Sequence, residues 1–514
     1  MLLSRKLIGA AMFVMLLSLS FWGAGIGMAQ DGAPSSPSEG AAAIEAEPEQ
    51  GSTLPAAQLT QSSPSIVAKS LAHYDTGSTA WLLISTALVF FMMPGLALFY
   101  GGMVRSKNLL NLFMCVMVCV PLIAVQWVAF GYSLAFAVPS AIVFDGGKND
   151  DGSEKPKLSV LGWDPGLVGF QSFSEVTPID GAKSYGKILT SGDTTDAVPT
   201  GVPELLFAMF QMMFAIITPA LIVGAVAERV KFSAWCLFVV LWATIVYDPV
   251  CHWVWNVNGW LFQKGVLDFA GGTVVHVLAG VSALALILIL PKRRGYPGPE
   301  FAPHSVGWTL IGAGLLMVGW FGFNAGSAIA VGKDFLPVAG GVAVMAFAST
   351  AIAGSAAAGS WMFAEWSVVG KPTALGLGSG LVAGLVVITP CAGHVSPGAA
   401  VLIGLIGGVV CFFAVYAKQY IKYDDSLDVV GVHGVGGALG ALLVGFFVVR
   451  PVVDHSTQLA LQLQGLLATG IYAFVCTLVL GLIIHKTIGF TVDEATEHQG
   501  LDIVEHGETS YRLN

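Results

Sequence analysis

The chain has 514 residues, of which 55% are hydrophobic and only 11% charged, and its mean hydropathy is +0.76. A soluble domain carries about 25% charged residues, so this composition excludes one and marks an integral membrane protein. The formal net charge of −9 offers no basic surface for nucleic acid.

At the start of the chain, Arg5 and Lys6 precede an apolar run from Leu7, and Gly27-Met28-Ala29 supplies the small residues of a cleavage site. Residues 1–29 read as a signal peptide, with an uncleaved anchor as the alternative. Residues 30–76, with Pro34, Pro37, Pro48, Pro55 and Pro64 among Ser, Ala and Glu, read as a disordered extracytoplasmic linker. A transmembrane domain follows over 77–486. Its apolar segments run about 20 residues rather than about 10, which predicts helices and not a barrel. Eleven are expected, near 78–100, 110–138, 203–227, 233–252, 268–290, 305–330, 336–363, 372–390, 397–417, 429–449 and 460–485. The acidic, Gly/Ser-rich stretch 140–202 reads as a solvated loop, and 487–514 is too polar to span.

Basic residues orient the bundle. With an outer start, the inner loops hold Arg105, Lys107, Arg229, Lys231, Lys292, Arg293, Arg294, Lys371, Lys418 and Lys422. The short outer loops hold only Lys264, Lys333 and Arg450. This bias puts the N-terminus outside and the C-terminal tail in the cytoplasm. Eleven segments also permit a five-plus-five inverted repeat with one final helix.

In that scheme His276 falls in the fifth segment and His433 in the tenth. An ionisable side chain inside hydrocarbon is costly and points to function. Histidine can also hold or release a proton near neutral pH, so the pair suggests a proton- or cation-handling path. Asp268 stands eight residues before His276, and Asp428 five before His433. Counting along the helices leaves about 10 Å between the two depths, so contact does not follow. Glycines 271, 272, 431, 434, 436 and 437 thin the surface around them, for a narrow lumen or for close helix packing.

Aromatics form a second group: Phe207, Phe210 and Phe214 at helical spacing, Trp253 and Trp255, and Trp320, Phe321 and Phe323 beside Asn324 and Ser327. Rings at an interface usually anchor a helix; the functional alternative is binding of a weakly hydrated cation and blockage of a pore. Asp268 is expected to begin its helix and cap it, with Asp424, Asp425 and Asp428 doing similar work before the tenth. Glu228 and Arg229 read as an ion pair on the cytoplasmic side. The seven cysteines show neither metal spacing nor a disulfide framework. No cofactor and no metal are expected, and no enzyme or ATPase signature appears.

Six runs carry a resemblance: PGLALFYGGMVRSKNLLN (94–111), LIVGAVAERVKFSAW (221–235), DFAGGTVVHVLAG (268–280), GWFGFNAGSA (319–328), DDSLDVVGVHGVGG (424–437) and GLDIVEHGETSY (500–511). With them the chain resembles the Amt/Mep/Rh ammonium transporter family, on its bacterial side. The resemblance implies an all-α bundle of eleven helices with an inverted repeat, assembled as a homotrimer in the inner membrane. It implies that Phe210, Trp255 and Ser327 recruit ammonium or methylammonium, and that Phe214 and Phe323 are stacked gate rings. His276 and His433 become a pore-lining pair, and Asp268 supports the site. It further implies a tail packed under the cytoplasmic face, where a PII-type regulatory protein can dock. The rival functions are a neutral ammonia or carbon dioxide channel of the Rh kind and an ammonium sensor.

Overall fold

The computed structural model describes residues 76–137, 142–144, 158–173, 188–190, 201–298, 301–328, 340–449, 451 and 453–511. The expected signal peptide, all but the last residue of the expected linker and most of the 140–202 loop lie outside the described residues. Among the described residues the apolar helical segments are, in order, α1 Thr76–Met103, α2 Ser106–Phe136, α3 Glu204–Val226, α4 Phe232–Trp255, α5 Gly272–Ile289, α6 Val306–Gly326, α7 Gly341–Val369, α8 Ala374–Ile388, α9 Pro397–Ile421, α10 Val430–Phe447 and α11 His455–Thr487. Ten of these are long and apolar enough to cross a membrane; α8 is shorter, at 15 residues. The chain is an all-α membrane protein.

Burial separates the core from the lipid-facing shell. The most apolar stretch of α3 is 89% buried, whereas that of α11 is 33% buried, so α3 is central and α11 peripheral. Apolar side chains on α11 such as Ile471, Val475 and Ile483 are exposed along one face, as hydrocarbon solvent permits. Small residues let the inner helices touch. A Cβ at Gly312 of α6 would stand 2.2 Å from the Phe99 nitrogen of α1, and one at Gly319 would meet Met92.

The described parts of the 140–202 stretch are not simply solvated. Strands β1 Ile142–Phe144 and β2 Leu158–Leu161 pair antiparallel, as do β3 Ile188–Thr190 and β4 Gly201–Pro203. Apolar residues in Leu158–Leu161 draw β2 onto the bundle, where Ser159 is buried and bonds the ring of His252 in α4. Nor is the tail merely polar chain. It forms α12 Glu494–Gln499, where Glu497 accepts the Arg294 N–H, and α13 Leu501–His506, which bonds Asn108 and Asn111 at the start of α2.

Candidate functional site

Helix α5 opens with a π turn, Gly272–Val277, and α10 with another, Val430–Gly434; each turn carries one of the intramembrane histidines. Such turns widen a helix locally and concentrate at functional sites. Asp268 does not begin α5, as the sequence suggested, but reaches it from the preceding loop. Its Oδ1 accepts from the backbone N–H groups of Gly271 (3.0 Å) and Gly272 (2.5 Å). Its Oδ2 accepts from those of Thr273 (2.9 Å) and Val274 (3.0 Å) and from the Thr273 hydroxyl (2.5 Å). One carboxylate thus satisfies the free donors of the helix start.

At the second histidine the same device uses Asp425 rather than Asp428. Asp425 accepts from the backbone N–H groups of Val429 (3.1 Å) and Val430 (2.8 Å), and it stands eight residues before His433, the spacing of Asp268 from His276. Sequence reasoning passed over this match because the acids come as a cluster. Asp428 instead pairs with Lys418 and adopts φ +64°. Burial, with the nearby Asp428, holds the Asp425 carboxyl above the usual carboxylate range against the pull of Lys418.

The two imidazoles meet. Their Nδ1 atoms lie 3.2 Å apart and both residues are buried. Contact between glycines accounts for this approach: a Cβ at Gly280 of α5 would sit 2.2 Å from Gly434 of α10, and one at Gly437 would sit 2.8 Å from the His276 Cβ. These glycines therefore serve close packing, which brings the rings together despite their offset along the helices. The contact is not symmetric, since a Cβ at Gly434 would stand 3.4 Å from Gly280, an ordinary distance. Gly280→Ala is expected to lower the thermal midpoint in detergent by an amount equivalent to about 1–3 kcal/mol, and Gly434→Ala to leave it nearly unchanged. Equal midpoints for the two variants would contradict this account.

Above the histidines lies a cluster of rings, buried in the bundle rather than spread in an interfacial belt. Phe214 of α3 and Phe323 of α6 have centroids 4.4 Å apart, tilted by 41° rather than stacked. Phe210 (5.0 Å) and Trp255 (5.6 Å, nearly perpendicular) also pack on Phe214. The Trp255 indole is held by the Asp268 carbonyl at 2.9 Å. Ser327 donates its hydroxyl to the Phe323 carbonyl at 2.8 Å, and Phe210 lies against the neighbouring Gly326. Phe210, Trp255, Phe214, Phe323, His276 and His433 thus form one connected run of rings, while Ser327 bonds Phe323 and Asp268 meets Trp255 through its carbonyl. Phe207 does not join them; it packs on Phe136.

In the sequence Trp320 is one of several aromatics; in the fold its ring stacks on His276 at 5.5 Å and 20°. Its indole donates to Thr389 Oγ1 at 2.8 Å, which fixes the ring. Thr389 left no signal in the sequence, because only the fold brings α8 to α6. Below Phe323 a cavity is lined by Ile217, Leu221, Val275 and Leu316 with the two histidines as its polar groups.

At the face that carries the tail, the expected Glu228–Arg229 pair is replaced by a network. Glu228 bonds Arg105 (2.9 Å) and Arg293 (2.7 Å), while Arg229 pairs with Asp424, which also bonds Arg293 at 2.7 Å. Adjacent residues at a helix end point apart, and here Glu228 takes φ +70°. Burial pushes the Glu228 and Asp424 carboxyls up, but the guanidiniums around them outweigh it and hold both below the usual carboxylate range.

This architecture and its internal site define a polytopic helical membrane protein with an aromatic-capped, histidine-lined cavity. A family model described as the Ammonium Transporter Family matches residues 80–511. The chain belongs to that family. It is 40% identical over 446 residues to an ammonium transporter of Bacillus subtilis (strain 168), spanning 85% of this chain and 98% of the relative. It is 42% identical over 460 residues to an ammonium transporter of Mycobacterium tuberculosis (strain H37Rv), spanning 85% and 90%. The fold matches the crystal structure of Saccharomyces cerevisiae Mep2 with a TM-score of 0.68 at 31% identity, covering 82% of this chain and 89% of that one.

Proposed function

We propose that the chain is an ammonium transporter that recruits the cation beside Phe210, Trp255 and Ser327, removes a proton, and passes ammonia beyond Phe214 and Phe323 along the histidine pair. The observation that carries this reading is the 3.2 Å Nδ1–Nδ1 contact inside an otherwise apolar cavity. Ring faces and a Ser hydroxyl replace part of the hydration shell of ammonium. Carrying the intact charge into the cavity would be costly, and neutral ammonia avoids that cost. The bond broken is one N–H of ammonium, and the proton leaves on an imidazole nitrogen.

The contact sets the tautomers. The ring that donates through Nδ1 has a bare Nε2, and the ring that accepts carries its hydrogen on Nε2. His276 Nε2 is buried with no protein partner, so it is free for substrate or proton. A proton entering at one ring can therefore leave from the other. On this reading net charge crosses while ammonia travels separately. The charge bias of the loops supports a tail inside the cell, and the family likeness supports a trimer with a PII-type partner at the tail face.

Solid-supported-membrane recordings test the mechanism. Ammonium is expected to evoke a current in wild type that falls at least about tenfold in His276→Ala. Uptake of methylammonium without any current in wild type would leave a neutral channel as the answer. Absence of both uptake and current would remove the transport reading itself.

A further inference from the structure

Outside the path just described, Gln126 of α2 meets Asp248 of α4. Both are buried, at 3% and 0% exposure, within helices that cross the membrane. Each stands at the edge of a π turn: Gln126 just before Trp127–Gly131, and Asp248 just after Ala243–Tyr247. Gln126 Nε2 donates to Asp248 Oδ2 at 2.6 Å and reaches Thr244 Oγ1 at 3.3 Å. The carboxamide rests on the backbone of Gly131, where a Cβ would stand 2.7 Å from its oxygen.

Two atoms of this pair find no donor, Asp248 Oδ1 and Gln126 Oε1. If Asp248 were ionised, both would be buried acceptors without partners, beside an uncompensated charge at membrane depth. No cation stands against it among the described residues; the ionisable neighbours are Tyr247 and Cys251 on its own helix, with Asp268 beyond. From α2 it meets the neutral Gln126. One hydrogen on Oδ1 resolves both unmet atoms, because it can be donated to Gln126 Oε1 while Gln126 Nε2 donates to Oδ2. With the amide reversed the requirement persists, since two oxygens 2.6 Å apart must share a hydrogen.

We infer that Asp248 is a proton-binding site separate from the histidine pair, its carboxylic acid closed into a two-bond ring with Gln126. Asp248 is a positioning residue. The ring ties the π turns of α2 and α4 in register, and the last turns of α4 carry Trp255 to its places on Phe214 and the Asp268 carbonyl.

Infrared difference spectra of the purified full chain, wild type against Asp248→Asn, test the inference. A carboxylic-acid carbonyl band sensitive to D2O is expected in wild type at neutral pH and absent from the variant. Carboxylate bands in its place would overturn the proposal. Asp248→Asn preserves a neutral two-bond ring, so its unfolding temperature and methylammonium uptake should stay near wild type, uptake to within about twofold. Gln126→Leu leaves the acid alone and is expected to lower both. A fall in unfolding temperature in Asp248→Asn as large as in Gln126→Leu would count against the neutral ring. Unchanged uptake in a destabilised Gln126→Leu would count against the link to Trp255. Should Gln126→Leu not fold, Asp248→Asn and the spectra still decide. Only the uptake arm rests on the transport reading.

Discussion

Asp268→Ala is expected to yield little or no folded protein. Four backbone N–H groups and one hydroxyl converge on that carboxylate, and the residue is almost fully enclosed. Alanine would leave the four backbone donors without an acceptor where water does not readily reach. Each such group costs about 1–3 kcal/mol, and the sum approaches the entire stability of an ordinary fold. Asp268→Asn separates charge from shape. Both carboxylate oxygens accept, so an amide nitrogen in either place would face N–H groups, and a substantial fall in midpoint is expected from a change of one atom. Monodispersity in detergent and thermal unfolding check both variants. An Asp268→Ala protein that melts with wild type would show that the cap does not hold the π turn.

The second large effect is expected at Asp424. It bonds Arg229 and Arg293 together, so Asp424→Ala strips the buried Arg229 of its carboxylate and leaves Arg293 with Glu228 alone. Removing one partner of a buried pair costs about 3–5 kcal/mol, because the remaining charge stays desolvated. Glu228 extends the same network, and its loss should couple with that of Asp424 rather than add to it. The network also sets an acid limit. The folded Glu228 and Asp424 carboxyls lie below their unfolded values, so their contribution is complete above about pH 4–5. It disappears as pH falls through the lower folded values. Thermal midpoints are therefore expected to drop with acid in wild type and to depend less on pH in Asp424→Asn. An unchanged pH slope in that variant would contradict the assignment.

What the sequence revealed, and what it hid, follows from the range of each interaction. Apolar runs are local, so the helices of the bundle were legible, as were the intramembrane histidines. The roles of single acids were not. Arg229 and Asp424 are separated by 195 positions, and nothing in either neighbourhood announces the other. The histidine contact spans 157 positions and depends on glycines, which packing and a lumen explain equally well until the facing backbone is known. Helix α4 is expected from the sequence to end near 252 but continues to Trp255, which sets that ring against Phe214. The π turns were invisible because one extra residue per circuit barely disturbs an apolar run. Asp425 was legible in principle, since the eight-residue spacing is present in the text, but Asp428 lay closer to the helix start.

The tail has a consequence for how the molecule is made. Asp502 receives the Asn111 N–H, Asn108 receives that of Leu501, and Ser510 reaches the Ser106 carbonyl. These partners are separated by 391 to 404 residues. At ribosomal rates of about 5–20 residues per second, the start of α2 waits roughly 20–80 s for the segment that covers it. During that interval its donors and acceptors are met by water. Completion of the face is thus a late event of biosynthesis, and a ribosome that stalls within α11 leaves an inserted bundle whose unfinished side is open to quality control.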